Sequence, residues 1–211
     1  MKRLICLLLS LMLALPVTAA FAENVGDSLV VGIYSTHTTE LRPLNPMERD
    51  IISVYNLVYE SLVTVDDNGL PQPMLADTWA ESNNGKTWTF TLRENVTFSD
   101  GTPLTAGDVV ASCKYLLAMS ANEDPNAKGF YQTIQYMVSD ISATDDRTVV
   151  VKANKRSYYG ILYALTFPVV PAAQVDQPNP LGTGPYVVAS FEPANYLWLK
   201  VNEKWWQTRP Q

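Results

Sequence analysis

Few side chains in this sequence could carry out catalysis. His37 is the only histidine of the chain, so a multi-histidine metal site is excluded and a Cys-His pair has no supporting sequence context. No Gly-x-Ser-x-Gly motif is present, and a Ser-His-Asp site would depend on His37 alone. The Asp and Glu residues fall in turns and at predicted helix starts, where solvation and capping are their usual roles. The sequence therefore indicates a protein that is not an enzyme and has no catalytic residue.

The stretch "PLGTGPY", residues 180–186, is the one glycine-rich segment that could cradle a phosphate. A Walker loop requires Lys and Ser or Thr after its last glycine, but Pro185 and Tyr186 follow here. A dinucleotide-binding loop requires a third glycine, and Val187 stands at that place before a strand-like run. The segment is therefore predicted to be a turn that leads into a strand. In this interpretation Gly182 and Gly184 supply unusual backbone angles.

The acidic run "VDDNGLPQP" superficially suggests a calcium loop. The EF-hand frame that fits Gly69 puts Thr64 first and Leu75 last, where carboxylates are required. We therefore interpret the run as a turn with solvated acidic side chains. No cofactor and no metal site are predicted anywhere in the chain.

Residues 1–22 have the pattern of a secretory signal peptide. Lys2 and Arg3 precede an apolar run, and Ala20-Phe21-Ala22 is a small-x-small cleavage pattern. Cys6 lies early in the apolar run instead of closing it, so we predict no lipid anchor. The chain has 15 basic and 21 acidic residues, and this balance becomes more acidic without the leader. The pattern predicts an exported protein, periplasmic or extracellular, and argues against a nucleic-acid partner.

Two helix starts are predicted from capping patterns. Asn45, with Pro46 next and Glu48 after it, is typical of a helix N-terminus. Thr105 followed three residues later by Asp108 predicts a second helix. The apolar positions expected on the buried face of the first helix are Ile51, Ile52, Tyr55, Val58, Tyr59 and Leu62. The corresponding positions of the second helix are Val109, Cys113, Leu116 and Leu117, which predicts that Cys113 is a core residue.

Several strands follow from alternation and turn residues. Residues 28–34 form a β-rich run that predicts a buried strand. Trp88, Phe90 and Leu92 alternate with threonines, the pattern of a half-buried strand. Further along the chain, two strands are predicted to meet at Asp145-Asp146, and a hairpin is predicted to turn at Pro193-Ala194-Asn195.

The ordered pieces of this chain together resemble the family 5 extracellular solute-binding proteins, which include the oligopeptide-, dipeptide- and nickel-binding proteins of ABC importers. The resemblance covers nearly all of the chain after the leader. The matching pieces are Tyr59-Glu60-Ser61-Leu62, Leu75-Ala76-Asp77-Thr78-Trp79, Gly85-Lys86-Thr87-Trp88-Thr89-Phe90, Phe98-Ser99-Asp100-Gly101-Thr102-Pro103-Leu104, Asp108-Val109-Val110, Gly182-Thr183-Gly184-Pro185-Tyr186 and Trp205-Trp206.

The resemblance implies a mixed α/β (α+β) fold, the type II periplasmic-binding-protein-like lobe with an inserted small domain. The implied division is a signal peptide over 1–22, the first part of lobe one over 23–60, the inserted domain over 61–176 and the continuation of lobe one over 177–211. Family members trap a ligand between two lobes by hinge closure and present it to permease subunits in the membrane. They are well over twice as long as this chain, so the resemblance leads us to expect an N-terminal part that ends before the second lobe.

The loop after the first predicted strand is the best candidate for ligand contact. It contains Tyr34, Ser35, Thr36, His37 and Thr38 at the carboxyl end of a strand, a common ligand position in α/β proteins. A merely solvated loop is the alternative. Some aromatic residues could either stack on a ligand or pack in the core, and packing is the favoured role for most of them. These residues are Tyr59, Trp79, Trp88, Phe90, Tyr186, Trp205 and Trp206.

Three functions remain in view. The resemblance favours a substrate-binding component of an ABC importer for peptides or related small solutes. The alternative is a truncated non-transport product, or an exported interaction module, that lacks ligand binding. A secreted hydrolase would have to depend on His37 or a carboxylate, and the motif search argues against it.

Overall fold

The computed structural model describes residues 31–33, 37–46, 48–121, 130–156 and 159–208. The chain divides into two units, 1–32 and 33–211, and the elements below all belong to the second. The predicted signal peptide lies outside the described residues. So does most of the predicted strand over 28–34, whose described part, residues 31–33, is not in a strand.

Short helices and antiparallel strands alternate along the second unit. In chain order the elements are α1 (Ile51–Val58), β1 (Val63–Val65), β2 (Pro71–Pro73), β3 (Ala76–Ser82), β4 (Thr87–Leu92), α2 (Ala106–Ser120), α3 (Ile134–Met137), β5 (Val138–Asp145), β6 (Thr148–Ala153), α4 (Gly160–Ala164), a 3-10 turn (Ala172–Gln174), β7 (Tyr186–Glu192) and β8 (Tyr196–Val201).

A four-stranded antiparallel sheet with the order β3-β4-β6-β5 is the largest element of the fold. Trp88, Phe90 and Leu92 of β4 are buried on one face, which confirms the predicted alternation. Trp88 and Phe90 lie opposite valines of β6. The helix α2 packs against β5 and β6. Side chains from the sheet and the helix thus form one continuous apolar core.

The predicted N-terminus of α2 is confirmed. The Asp108 carboxylate accepts from the Thr105 backbone N–H at 2.9 Å and from its hydroxyl at 2.8 Å. Its other oxygen accepts from the Ala172 N–H at 2.8 Å, which ties the helix start to a distant loop. Cys113 is completely buried, as predicted, and burial raises the pKa of its thiol to about 12. Reaction at this sulfur therefore requires opening of the core.

The predicted cap of α1 at Asn45 is wrong. The helix begins at Ile51, and Asp50 at its cap position makes no side-chain capping hydrogen bond. The Asn45 N–H instead closes a turn onto the Arg42 carbonyl at 3.0 Å. Glu48, expected to complete the cap, accepts hydrogen bonds from residues that precede it in the chain. The buried face is nevertheless as predicted at Ile51, Tyr55 and Val58, while Tyr59 and Leu62 are buried beyond the end of the helix.

The segment with Gly182 and Gly184 leads into a strand as predicted, but the predicted reason for the two glycines is wrong. The segment leads into β7 as expected, but neither glycine has a positive φ; among described glycines that property belongs to Gly69, Gly85 and Gly101. A Cβ on Gly182 would overlap the carbonyl of Val58, and one on Gly184 would lie 2.8 Å from the same carbonyl group. These positions are glycine because the backbone at the end of α1 packs directly against them.

The remaining hairpins agree with the sequence. β5 and β6 meet at the turn after Asp145, and β7 and β8 turn at Ala194, which has a φ of 58°. The acidic run is the turn between β1 and β2, where the Asp66 carboxylate accepts from the Asn68 and Leu70 N–H groups. In the described ranges, no helix combines the length and the apolar character that crossing a membrane requires.

Candidate functional site

Of the five predicted ligand-contact residues, the structure places two. Tyr34, Ser35 and Thr36 lie outside the described residues. Thr38 is buried, whereas the His37 side chain is 76% exposed. His37 thus presents an imidazole to solvent beside a hydroxyl that is enclosed by the protein.

Glu48 joins these two residues through one carboxylate. Its Oε1 accepts from the His37 backbone N–H at 3.2 Å and lies 3.0 Å from the His37 Nδ1. Its Oε2 accepts from the Thr38 hydroxyl at 3.0 Å. A carboxylate on Nδ1 favours the tautomer with a proton on that nitrogen and orients the ring. The loop is thereby held in a defined conformation around the exposed imidazole.

A second cluster, which the sequence reasoning missed, surrounds Glu60. This residue follows α1 and is only 5% exposed. Its Oε1 accepts from the indole N–H of Trp205 at 3.1 Å, and its Oε2 accepts from that of Trp206 at 2.7 Å. In the sequence, Glu60 belongs to one motif piece and the two tryptophans to another, and only the tryptophans are candidates for ligand stacking or core packing. Their pairing could not be read from the sequence because about 145 positions separate the partners.

Burial is the main influence on the Glu60 carboxyl and raises its pKa. The two indole donors, the nearby Thr183 hydroxyl and the charge of Arg93 act in the opposite direction. Thr183 is completely buried beside the carboxyl, although its hydroxyl makes no hydrogen bond within 3.5 Å in the described part of the chain. The cluster is therefore a buried polar site in which the charged form of the carboxyl is only partly compensated.

Arg93 contacts one of the tryptophans of this cluster. Its guanidinium lies 5.5 Å from the centre of the Trp206 ring, within the range of a cation–π contact. Its Nε donates to the Met74 carbonyl at 2.6 Å and its Nη1 to Asp77 at 2.9 Å. The cluster connects the end of α1, the segment before β7 and the segment after β8. Because the Glu60 carboxyl and Thr183 are buried, we interpret the cluster as a structural link.

The candidate aromatic residues divide between core and surface. Tyr59, Trp88 and Phe90 are buried, which confirms the packing role expected for them. Trp79 packs against the Phe90 ring with the centroids 6.2 Å apart and remains partly exposed. Tyr186 is half-buried at the start of β7. In the described ranges, no group of three or more His, Cys, Asp or Glu residues is arranged to hold a metal ion.

Comparison with known proteins identifies the family. The model for "Bacterial extracellular solute-binding proteins, family 5 Middle" matches residues 71–211. The chain is 30% identical to the nickel-binding periplasmic protein of Escherichia coli over 80% of its length and 33% of the relative's. It is 32% identical to Protein XP55 of Streptomyces lividans over 87% of its length and 34% of the relative's. The chain thus spans about a third of the length of these relatives.

Solved structures agree with the sequence match. NikA from Brucella suis, in complex with Fe(III)-EDTA, superposes with a TM-score of 0.69 at 26% identity over 81% of this chain and 36% of that one. The oligopeptide-binding protein AppA from Bacillus subtilis has the same fold, with a TM-score of 0.70 at 20% identity over 82% of this chain and 36% of that one. The predicted type II periplasmic-binding-protein fold is confirmed. The chain belongs to the family 5 extracellular solute-binding proteins, as its motif pieces indicated.

Proposed function

We propose that this chain serves in a substrate-binding component of an ABC importer for peptides or related small solutes. The observation that carries the proposal is the family match over residues 71–211. Relatives of the chain include the nickel-binding periplasmic protein of Escherichia coli and the periplasmic oligopeptide-binding protein OppA of Salmonella typhimurium. Proteins of this family are transport components, so the proposed role is binding and delivery to permease subunits and not catalysis.

We further propose that residues 34–38 contact the solute. The support is the arrangement around Glu48, which fixes Thr38 and orients an imidazole that is 76% exposed. An oriented imidazole can donate to, or accept from, the polar ends of a peptide. Export of the protein to the periplasm or beyond is part of the same proposal, with residues 1–22 as the signal peptide.

The domain division is also a proposal. The four-stranded sheet and the packed helix α2 lie wholly within the range 61–176 assigned to an inserted domain. Glu60 lies at the end of 23–60, and Trp205 and Trp206 lie within 177–211. Their hydrogen bonds support the assignment of 23–60 and 177–211 to one lobe.

Saturation-transfer NMR of the full chain with pools of di- to pentapeptides would test the function. We expect weak binding, with a Kd of about 1 mM, because a single wall excludes water from one side of the ligand only. H37A should raise the Kd about threefold or more, given the usual cost of losing a hydrogen bond, and T38A should act in the same direction because it removes a contact that holds Glu48 in place. E192Q, a change on the exposed β7 strand, is the matched control.

Failure of every peptide pool to show transfer would contradict the peptide proposal. Binding of a nickel–histidine complex, measured by calorimetry, would then keep the solute-binding function and change the substrate class. If H37A and T38A bind peptides with the affinity of the wild type, the assignment of residues 34–38 is contradicted, whereas the peptide-binding function is not.

A further inference from the structure

A groove of about 370 Å³ opens at the edge of the four-stranded sheet. Its volume is in the range of small-molecule sites. It shares no residue with the His37 loop or the Glu60 cluster. The lining residues are Pro71, Trp79, Glu81, Trp88, Tyr159 and Leu162.

The sheet register brings two indoles and one carboxylate to this groove. Trp79 and Glu81 alternate along β3 and so point to the same face of the sheet. Glu81 lies directly opposite Trp88 of β4 in the antiparallel register. Trp88 is fixed by burial and by an indole N–H that donates to the Gly85 carbonyl at 3.1 Å. The groove is therefore lined by an immobilised aromatic wall with an acidic residue on its rim.

The segment that contains α4 also contributes to the groove. Tyr159 precedes the helix and is 60% exposed, and Leu162 within it is buried. None of the lining residues, all of which belong to the described part of the chain, is basic. Aromatic faces and a carboxylate both attract positive charge, and no described residue of the lining opposes it.

We propose that this groove binds a small organic cation of the quaternary-ammonium class. The charge complementarity selects a cation, and the hydrogen-bonding inventory selects its type. Apart from one carboxylate and one phenolic oxygen, the lining side chains present aromatic and apolar surface, which suits methyl groups better than the strongly hydrated N–H groups of a primary ammonium. A methylated ammonium has no N–H donors to satisfy and can place its methyl groups against the accessible rings of Trp79 and Tyr159.

A structural role for Glu81 gives a different expectation. β3 is an edge strand of the sheet, and a charged residue on the inner face of an edge strand discourages pairing with another chain. If that were the only role of Glu81, its neutralisation would promote self-association and leave cation binding unchanged. The two roles therefore make separable predictions.

Choline is the probe for the test, titrated into the full chain with tryptophan fluorescence and calorimetry as readouts. A Kd of about 1 mM is expected for a partly open aromatic site. The neutral carbon isostere, in which a tert-butyl group replaces the trimethylammonium group, should bind about tenfold more weakly or not at all. Sodium chloride at equal concentration is the control for ionic strength.

Variants locate the site. W79A should abolish choline binding, and E81Q should weaken it about fivefold through loss of the attracting charge. W198A is the matched control for the first variant because Trp198 is 62% exposed on β8, away from the groove. E192Q is the control for the second. Both controls should leave the Kd unchanged.

Several outcomes would overturn the proposal: no binding at roughly 10 mM choline, equal binding of the isostere, or a W79A variant that binds normally. Sedimentation of E81Q distinguishes the edge-strand role, because increased self-association with unchanged choline affinity would assign Glu81 to that role alone. None of these results bears on peptide binding at residues 34–38, since the residues and the ligand differ.

Discussion

Glu48 and Glu60 lie on either side of α1, and each accepts hydrogen bonds from two other residues, but over very different distances along the chain. Among the described residues, Glu48 bonds with His37 and Thr38, eleven and ten positions away. Glu60 bonds with Trp205 and Trp206, about 145 positions away. The first carboxylate orders a surface loop next to an exposed imidazole, and the second joins distant segments inside the protein. One glutamate thus positions a candidate site, and the other links distant parts of the fold.

Removal of the Glu60 carboxylate should have the largest effect. E60A leaves two indole N–H groups without their acceptor, and each unsatisfied buried donor costs about 1–3 kcal/mol. We expect a loss of about 2–5 kcal/mol in the free energy of unfolding, measured by urea denaturation. E94A is the control, because the Glu94 side chain is 69% exposed in an ion pair with Arg147 and should cost about 0–1 kcal/mol. Equal effects of E60A and E94A would show that the buried link does not stabilise the fold.

A methyl group on Gly182 tests the same region from the other side. G182A forces a Cβ against the Val58 carbonyl, next to Glu60. The backbone must shift to make room, so we expect a loss of about 1–3 kcal/mol by urea denaturation. G32A is the matched control, since among the described residues no atom beyond its chain neighbours lies within 4 Å of the position its Cβ would take. A neutral G182A would mean that α1 and the segment before β7 do not pack as closely as described.

Removal of the Glu48 carboxylate should have a smaller effect on stability. E48Q keeps the size of the side chain and removes the charge-assisted contacts with His37 and Thr38. We expect a loss of about 0.5–1.5 kcal/mol, with a shift in the NMR signals of the His37 ring. A loss as large as that of E60A would contradict the contrast between surface and interior.

The pH dependence of stability sharpens the contrast further. Since burial raises the pKa of Glu60, the folded state keeps this proton at pH values where the unfolded chain has released it. The stability from this group is complete below the ordinary carboxyl pKa and is lost as pH rises through the raised value. The free energy of unfolding of the wild type should therefore fall relative to that of E60Q as pH rises from about 4.

The E60Q reference is required because other carboxyls change the free energy of unfolding with pH in the opposite direction. The pKa values of Asp66, Asp100, Asp140 and Asp145 are lowered by hydrogen bonds, chiefly to backbone N–H groups and side chains around them. Their contribution is present above the ordinary carboxyl pKa and is lost as pH falls. These terms cancel in the difference between wild type and E60Q. A difference that is flat, or that rises with pH, would contradict the raised pKa.

Local signals in the sequence predicted local structure well. The alternation in β4 and the pair Thr105 and Asp108 depend only on neighbours in the chain, and both predictions are confirmed. The Asn45 cap failed because Glu48 is taken up by His37 and Thr38, a contact outside the capping pattern. The sequence also could not show why residue 182 is glycine, since the cause is the approach of another backbone segment.

The candidate site follows the same division. His37 could be singled out as the sole histidine after a predicted strand, and its orientation by Glu48 required the structure. The sequence does not reveal the groove beside β3, because it favours core packing over ligand stacking for Trp79 and Trp88 and does not show that the two lie side by side. The alternation of Trp79 and Glu81 on one strand was visible in the sequence and could have indicated an acidic residue next to an aromatic one.

The link between Glu60 and the two tryptophans has a kinetic consequence. Glu60 is synthesised long before Trp205 and Trp206, and the sheet and α2 lie between them in the chain. Contacts across so large a separation form slowly because the loop-closure entropy must be overcome first. The carboxylate therefore stays hydrated while the sheet assembles, and the indoles displace that water late. Folding should accordingly end with the docking of the segment after β8, and E60A should mainly accelerate unfolding while leaving the folding rate nearly unchanged.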